Sequence, residues 1–203
     1  MTMPLSLEYL RQLSVLRAPP GKPFTLKSGK ESQVQVDIRR AALDPYALRQ
    51  LSLDLFWKLM SFRSGATLVA GVVLGGCPLA TGISLASLDE AEFRDNQGDL
   101  VHPGLSVIRA LMVRTEPGDH GSSSGKLVEG IFEPGEWVIL VEDVVTTGIS
   151  STKAIEALQA AGLQVSGIVA VLDREEGGQE AFEALGIPFK ALYTLQELVA
   201  LSR

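Results

Sequence analysis

The chain has 203 residues, 46% of them hydrophobic and 21% charged, which is enough apolar surface for the core of one α/β domain. Its net charge of -6 gives no reason to expect nucleic acid or a membrane as partner, because such surfaces select basic patches. One cysteine, Cys77, excludes an internal disulfide, and no apolar run approaches the roughly 20 residues of a membrane span, so we expect a cytoplasmic protein.

Two helices are predicted near the start of the chain. Leucines at helical spacing predict the first over residues 5–16. Asp44 as N-cap and Pro45 at the first helical position predict a second helix that runs to Met60.

Four short apolar runs follow, and they are continuous rather than alternating, as is typical of parallel strands buried on both faces. They cover residues 67–74, 107–114, 137–141 and 165–172. A helix is predicted over 152–161, between the last two runs, and Thr194 with Glu197 forms a capping box that opens a final helix. This order predicts an α/β fold with an open, mostly parallel twisted sheet and helices on both faces.

Glycine marks the connections between these elements. Gly75, Gly76 and Pro78 predict a tight loop around Cys77, in which the cysteine fills a turn rather than acting as a nucleophile. Two polar, Gly-rich stretches, 89–104 and 116–126, predict exposed loops.

The most specific chemical signal follows the apolar run that starts at Trp137. Two carboxylates, Glu142 and Asp143, stand at its end. The phosphate-loop candidates come next: Thr146, Thr147, Gly148, Ile149, Ser150 and Ser151. Ligands of open parallel sheets bind at the carboxyl ends of the strands, and the N-terminus of a helix favours a phosphate group. Gly148 allows close approach, the four hydroxyl groups can donate to phosphate oxygens, and the acidic pair can accept ribose hydroxyls or hold Mg²⁺ through water. The sequence therefore predicts a site for ribose 5-phosphate.

Residues 138–151 resemble the phosphoribosyl pyrophosphate (PRPP) signature of type I phosphoribosyltransferases. Further motifs are similar to orotate phosphoribosyltransferase in the same order. They are Phe-Thr-Leu-Lys-Ser-Gly (24–29), Asp-Ile-Arg (37–39), Gly-Cys-Pro-Leu-Ala (76–80), Asp-His-Gly (119–121), Leu-Val-Glu-Gly (127–130) and Leu-Asp-Arg-Glu-Glu-Gly-Gly (172–178). The resemblance implies the type I phosphoribosyltransferase fold in a single domain. Residues 1–43 would form a small N-terminal hood with the base-binding segment, and residues 44–203 the PRPP-binding core.

The resemblance also implies an activity, the transfer of a 5-phosphoribosyl group from PRPP to orotate, with Mg²⁺ held indirectly by Glu142 and Asp143. The residues it assigns to orotate are Lys27, Gln35, Thr146 and Arg174. Lys27 would contact either the base or pyrophosphate, and Gly75 and Gly76 would offer backbone N–H groups to the pyrophosphate. Arg114 and His120 belong to a mobile lid over 114–126 that, in the family, often reaches the partner subunit's site. A homodimer with shared active sites is therefore implied.

Three departures from the family pattern leave the reaction open. Thr115 and Gly118 stand where lid lysines are usual, Gln35 replaces an aromatic ring that would stack on the base, and residues 89–104 look like an insertion. The alternatives are a related transferase that uses another base and a catalytically weak protein that binds PRPP or a nucleotide.

Overall fold

The computed structural model describes residues 4–25, 31–62, 64–116 and 125–200. The helices are α1 (Leu5–Leu13), α2 (Arg39–Ala42), α3 (Pro45–Met60), α4 (Gly76–Glu92), α5 (Ile149–Ala160), α6 (Gly178–Ala184) and α7 (Leu195–Ala200). The strands are β1 (Val15–Arg17), β2 (Phe24–Thr25), β3 (Glu31–Ser32), β4 (Val34–Val36), β5 (Leu68–Val72), β6 (Arg109–Val113), β7 (Val128–Glu129), β8 (Trp137–Val145), β9 (Gln164–Asp173) and β10 (Phe189–Thr194).

The central sheet has six strands in the order β10-β9-β8-β5-β6-β7. All neighbours are parallel except β7, which pairs antiparallel with β6 at one edge. This arrangement confirms the predicted fold class, and it places β8 in the interior of the sheet between β5 and β9. The four predicted strands correspond to β5, β6, β8 and β9.

Each face of the sheet is covered by helices. Ile139 and Val141 of β8 belong to a core that includes buried residues of α1, α3 and α4. Val138 and Leu140, which alternate with them, belong to a second core with buried residues of α5 and α6. Both sets of side chains are buried, which explains why the strand sequences are continuously apolar.

The hood residues form two small antiparallel sheets. β1 pairs with β4, so that Leu16 lies opposite Gln35, and β2 pairs with β3. The prediction of one helix over 5–16 is wrong beyond Leu13, because the backbone of Val15 and Leu16 pairs with β4 instead. The proposed boundary at residue 43 stays a prediction.

The predicted ends of three elements also need correction. β8 continues past Val141 to Val145, because its pairing with β9 extends to Val145 opposite Asp173. α5 begins at Ile149, earlier than predicted, and has Gly148 as its N-cap. The loop predicted around Cys77 is the first turn of α4, where Pro78 is tolerated because early helical N–H groups have no intrahelical acceptor.

The insertion over 89–104 is partly helical, since α4 runs to Glu92. The remainder carries a short bridge between Arg94 and Leu100 and is held to the body by His102, whose ring packs edge-on against Trp57. The Nε2 atom of His102 lies 3.3 Å from a carboxylate oxygen of Glu90. Within the described residues, no helix is long and apolar enough to cross a membrane.

Both predicted helix caps are confirmed. A side-chain oxygen of Asp44 accepts hydrogen bonds from the backbone N–H groups of Tyr46 at 3.1 Å and Ala47 at 3.0 Å. At the start of α7, the backbone N–H of Thr194 donates to Glu197, and that of Glu197 donates to the Thr194 hydroxyl.

We predict that Asp44→Ala lowers the free energy of unfolding by about 1 kcal/mol, because two N–H groups of α3 lose their acceptor. Urea unfolding followed by circular dichroism measures this change. Asp44→Asn is the matched control and should stay close to wild type, since asparagine is an equally good N-cap. Equal losses in the two variants would contradict the role of the cap.

Candidate active site

The carboxyl end of β8 carries the acidic pair. Glu142 and Asp143 are the sixth and seventh residues of the strand, so they lie on it rather than after it. Successive side chains of a strand point to opposite faces. Glu142 therefore faces α5, and Asp143 faces α4 and the hood.

Glu142 is buried, with 4% of its surface exposed. The hydroxyl of Ser151 donates to its Oε1 atom at 2.7 Å, and that of Ser150 donates to the same atom at 3.3 Å. Burial raises the pKa of Glu142 to about 7, the two hydroxyl donors oppose this shift, and the charge of Asp143 adds to it. The prediction that Ser151 donates to a phosphate is wrong, because its buried hydroxyl is already bonded to Glu142.

Asp143 faces a glycine. A Cβ atom at Gly75 would overlap the carboxylate of Asp143, so the backbone before α4 lies directly against the acid. Burial raises the pKa of Asp143, while the N–H of Val144, which donates to its Oδ1 atom at 2.9 Å, and the charge of Arg39 lower it.

Two further glycines bring the start of α4 onto the sheet. A Cβ atom at Gly76 would overlap the carbonyl oxygen of Val141, and one at Gly71 would overlap the carbonyl of Gly76. The predicted pyrophosphate loop is thus fixed beside β8 by close backbone contacts. Burial raises the pKa of the Cys77 thiol in the same turn, which favours the unreactive, protonated form.

The predicted phosphate loop connects β8 to α5. Gly148 has a φ of 77°, the left-handed conformation that glycine adopts without strain, and it is the N-cap of α5. Thr147, Ile149 and Ser150 are exposed, and Ile149 has 66% of its surface accessible. Thr146 is half-buried, so the loop has both an open side and an anchored side.

The anchored side of this loop faces α6 and the end of β9. A Cβ atom at Gly178 would overlap the side chain of Val145 and contact the carbonyl of Thr146. The backbone N–H of Arg174 donates to the carbonyl of Val145 at 3.0 Å. The structure therefore brings the backbone of Arg174 to the carboxyl end of β8, and the predicted contact of its side chain with the base stays a prediction.

The guanidinium of Arg174 already has one partner in the chain. Its Nη2 atom lies 2.8 Å from a carboxylate oxygen of Glu176. Its Nε atom is buried and has no hydrogen-bond partner among the described residues. An unpaired buried donor is costly, so this guanidinium is suited to bind a further acceptor.

Arg114 lies at the other side of the glycine loop, directly after β6. Its Nε atom donates to Glu129 of β7 at 2.8 Å, and its charge lowers the pKa of Cys77 against the larger effect of burial.

Lys27, His120 and Gly118 lie outside the described residues, so their roles stay predictions. Gln35 is exposed on β4, and Thr115 is exposed after β6.

The predicted site residues omitted a pair in the hood. Asp37 and Arg39 form a two-point ion pair in which Nε donates at 2.8 Å and Nη2 at 3.2 Å. The Arg39 guanidinium and the Asp143 carboxylate also interact through their charges. The Asp-Ile-Arg motif was visible in the sequence, but its orientation depends on how β4 and α2 pack.

The acidic pair could hold a magnesium ion only if water or substrate supplied the remaining ligands. Among the described residues, no group of three or more His, Cys, Asp or Glu side chains could hold a metal. Mg²⁺ commonly binds through one or two carboxylates, with water and substrate phosphates as the other ligands. Glu142 and Asp143 match that donor set.

We predict that the unliganded protein loses stability between about pH 5 and 7 because of Glu142. Its folded-state pKa of about 7 lies above the ordinary value of 4.5, so the folded state binds this proton more tightly than the unfolded state. The contribution of Glu142 to the free energy of unfolding therefore falls by about 3 kcal/mol at most as the pH rises to 7, and it is constant above pH 7. Urea unfolding at a series of pH values without Mg²⁺ measures it.

Comparing the pH dependence of stability in two variants isolates the contribution of Glu142. Glu142→Gln should flatten the pH profile in that window, whereas Glu180→Gln, at an exposed position on α6, should keep the wild-type profile. A Glu142→Gln profile parallel to wild type would show that Glu142 does not titrate there.

A search against models of protein families finds no match for the chain. The orotate phosphoribosyltransferase of Aquifex aeolicus is 37% identical over 176 residues, which cover 87% of the chain and 86% of that enzyme. The orotate phosphoribosyltransferase of Bradyrhizobium sp. is 33% identical over 197 residues, 95% of each protein.

Solved structures agree with these relatives. The crystal structure of Mycobacterium tuberculosis orotate phosphoribosyltransferase in complex with PRPP matches with a TM-score of 0.69 and 32% identity, over 95% of this chain and 96% of that one. Identity at this level over most of the chain, on a shared fold, shows that the chain belongs to the orotate phosphoribosyltransferase family.

Proposed function

We propose that the protein transfers the 5-phosphoribosyl group of PRPP to orotate, giving orotidine 5′-monophosphate and pyrophosphate in pyrimidine biosynthesis. The observation that carries this proposal is the arrangement at the carboxyl end of β8. There, the buried Glu142, the half-buried Asp143 and an open phosphate loop lie together, and the backbone N–H of Arg174 donates to Val145 at the end of the strand. The related Mycobacterium tuberculosis enzyme has been crystallised with PRPP itself.

The sugar phosphate occupies the loop between β8 and α5. Backbone N–H groups at the N-terminus of α5 and the hydroxyls of Thr146 and Thr147 donate to the 5-phosphate. Asp143 and Glu142 accept the ribose hydroxyls. The hydroxyls of Ser150 and Ser151 hold Glu142 in place, so they support the ribose contact indirectly.

The reaction breaks the bond between C1 of the ribose and the pyrophosphate oxygen, and it forms a bond from C1 to a ring nitrogen of orotate. Positive charge develops on the sugar while negative charge grows on the leaving group. Backbone N–H groups at Gly75 and Gly76 stabilise the leaving pyrophosphate, and the carboxylates face the sugar. Bound Mg²⁺, held by Glu142 and Asp143 through water, would neutralise part of the pyrophosphate charge.

Arg174 selects the base. A guanidinium can bind a planar carboxylate through two parallel hydrogen bonds, and orotate carries such a carboxylate next to its ring. In the structure, a carboxylate oxygen of Glu176 contacts this guanidinium at 2.8 Å. Orotate would replace Glu176 as the partner of Arg174.

A related transferase acting on another base is the second candidate, and Gln35 favours it. This residue is exposed on β4 and offers an amide rather than an aromatic face. The homodimer with shared active sites and the cytoplasmic location also belong to the proposal and stay predictions.

We predict that pyrophosphate is released from PRPP and Mg²⁺ only when orotate is present. Uracil lacks the carboxylate that Arg174 would bind, so it should not support release, and neither should adenine or nicotinate. A coupled pyrophosphate assay with each base measures this selectivity. Release driven by a different base would favour the second candidate. PRPP binding in calorimetry without turnover of any base would identify a binding protein instead.

We predict that Arg174→Ala raises KM for orotate by at least about tenfold, because charge-assisted hydrogen bonds contribute about 1.5–3 kcal/mol. The Kd for PRPP should change by less than about threefold, since Arg174 faces the base. Steady-state kinetics and calorimetry measure the two constants.

Arg109→Ala is the matched control for this loss of charge. Arg109 starts β6 at the opposite end of the sheet, where it pairs with Glu136. This variant should keep both constants. Equal weakening of orotate and PRPP in Arg174→Ala would contradict the assignment of Arg174 to the base.

A further inference from the structure

A short turn after β9 carries an arginine and a carboxylate that are paired with each other. The Nη2 atom of Arg174 lies 2.8 Å from the Oε1 atom of Glu176, and the two side chains are 31% and 44% exposed. The Nε atom of Arg174 is buried and has no hydrogen-bond partner among the described residues. The pair is therefore accessible to a ligand, and Glu176 leaves the guanidinium incompletely bonded.

Both ends of this turn are fixed against the phosphate loop. The backbone N–H of Arg174 donates to the carbonyl of Val145 at 3.0 Å, at the end of β8. At the other end of the turn, a Cβ atom at Gly178 would overlap the side chain of Val145 and lie 2.9 Å from the carbonyl oxygen of Thr146. The turn that carries the pair therefore lies at the carboxyl end of the sheet, where ligands of open parallel sheets bind.

The backbone of the turn determines where Glu176 lies. The carboxylate of Asp173 accepts a hydrogen bond from the N–H of Glu175 at 2.8 Å. Glu175 has a φ of 58°, the only positive value at a non-glycine residue in the described part of the chain. Side chains are uncommon in this left-handed conformation, and such strain persists only where the surrounding structure imposes it. The reversed backbone at Glu175 returns Glu176 toward the end of β9, where it meets Arg174.

We infer that Glu176 competes with the carboxylate of the base for Arg174, and that it thereby determines how strongly the site prefers a base with a carboxylate. The inference rests on the proposed function, in which Arg174 binds orotate. A ligand carboxylate that accepted from both Nε and Nη2 would meet the negative charge of Glu176 at Nη2, so Glu176 has to leave. A base without a carboxylate leaves the internal pair intact, and Glu176 does not oppose it.

Two nucleotides that differ only in this carboxylate test the competition. Orotidine 5′-monophosphate carries it on the base, and uridine 5′-monophosphate does not. In calorimetry, Glu176→Gln should strengthen the binding of orotidine 5′-monophosphate by about two- to fivefold, the range expected for loss of a partly exposed ion pair. The Kd for uridine 5′-monophosphate should stay that of wild type.

Glu176→Ala covers the case in which the amide oxygen of a glutamine still accepts from Arg174. This variant should strengthen the binding of orotidine 5′-monophosphate at least as much as Glu176→Gln does. Unchanged affinity for this nucleotide in both variants would refute the competition. An equal gain for both nucleotides would also refute it, because the gain would then not depend on the base carboxylate.

Glu175→Gln is the matched control, because it removes the same charge at the preceding position. Glu175 is exposed, and it is its backbone N–H that holds the turn. This variant should bind both nucleotides as wild type does, and a gain as large as that of Glu176→Gln would show a general effect of charge instead. Melting temperatures close to wild type are expected in all these variants, since both glutamates are exposed.

A double-mutant cycle shows whether Glu176 acts through Arg174. In an Arg174→Ala background, Glu176→Gln should leave the affinity for orotidine 5′-monophosphate unchanged, because the residue for which the two carboxylates compete is gone. A gain of the same size in that background would overturn the competition for Arg174.

These measurements separate the inference from the proposed function. If Arg174→Ala weakens orotidine 5′-monophosphate but the Glu176 variants bind it as wild type does, only the inference fails. If the expected gains are found but the protein transfers PRPP to no base, the proposed reaction fails and the competition stands. A wild-type protein that binds neither nucleotide would overturn both.

Discussion

The site depends on keeping two adjacent carboxylates inside the protein at the end of its central strand. Burial raises the pKa of both Glu142 and Asp143, so each needs hydrogen-bond donors close by. Ser150 and Ser151 supply them to Glu142 from the first turn of α5. This bonding ties the helix to the strand, and it fixes the loop between them in a shape that can surround a phosphate.

On the opposite face of β8, the backbone N–H of Val144 donates to Asp143, and glycines let the chain before α4 approach this carboxylate closely. Gly75 and Gly76 bring the backbone against Asp143 and the Val141 carbonyl, and Gly71 on the neighbouring strand leaves room for that approach. A single Cβ atom at any of these positions would force the start of α4 away from the sheet. The two loops that we propose to bind phosphate groups therefore both pack against β8.

The sequence predicted the features that local composition encodes. Strands buried on both faces are continuously apolar, and this pattern identified β5, β6, β8 and β9. The acidic pair was found because it follows the apolar run that begins β8. It could not predict where β8 stops, because Val144 and Val145 are held by pairing with β9. Ser151 was misassigned for a similar reason, since its hydroxyl has a choice of acceptors and only the fold shows that Glu142 is nearer.

The charges around the site are arranged in internal pairs. Arg39, Arg114 and Arg174 each hold a carboxylate of the chain, from Asp37, Glu129 and Glu176 respectively. These pairs let a protein of net charge -6 keep oriented cations at a site for anions. They also set a condition for binding, because a ligand must either use the remaining N–H groups or displace the internal partner. Arg174 is held by one carboxylate oxygen of Glu176 and has an unpaired Nε among the described residues, so it suits the second route.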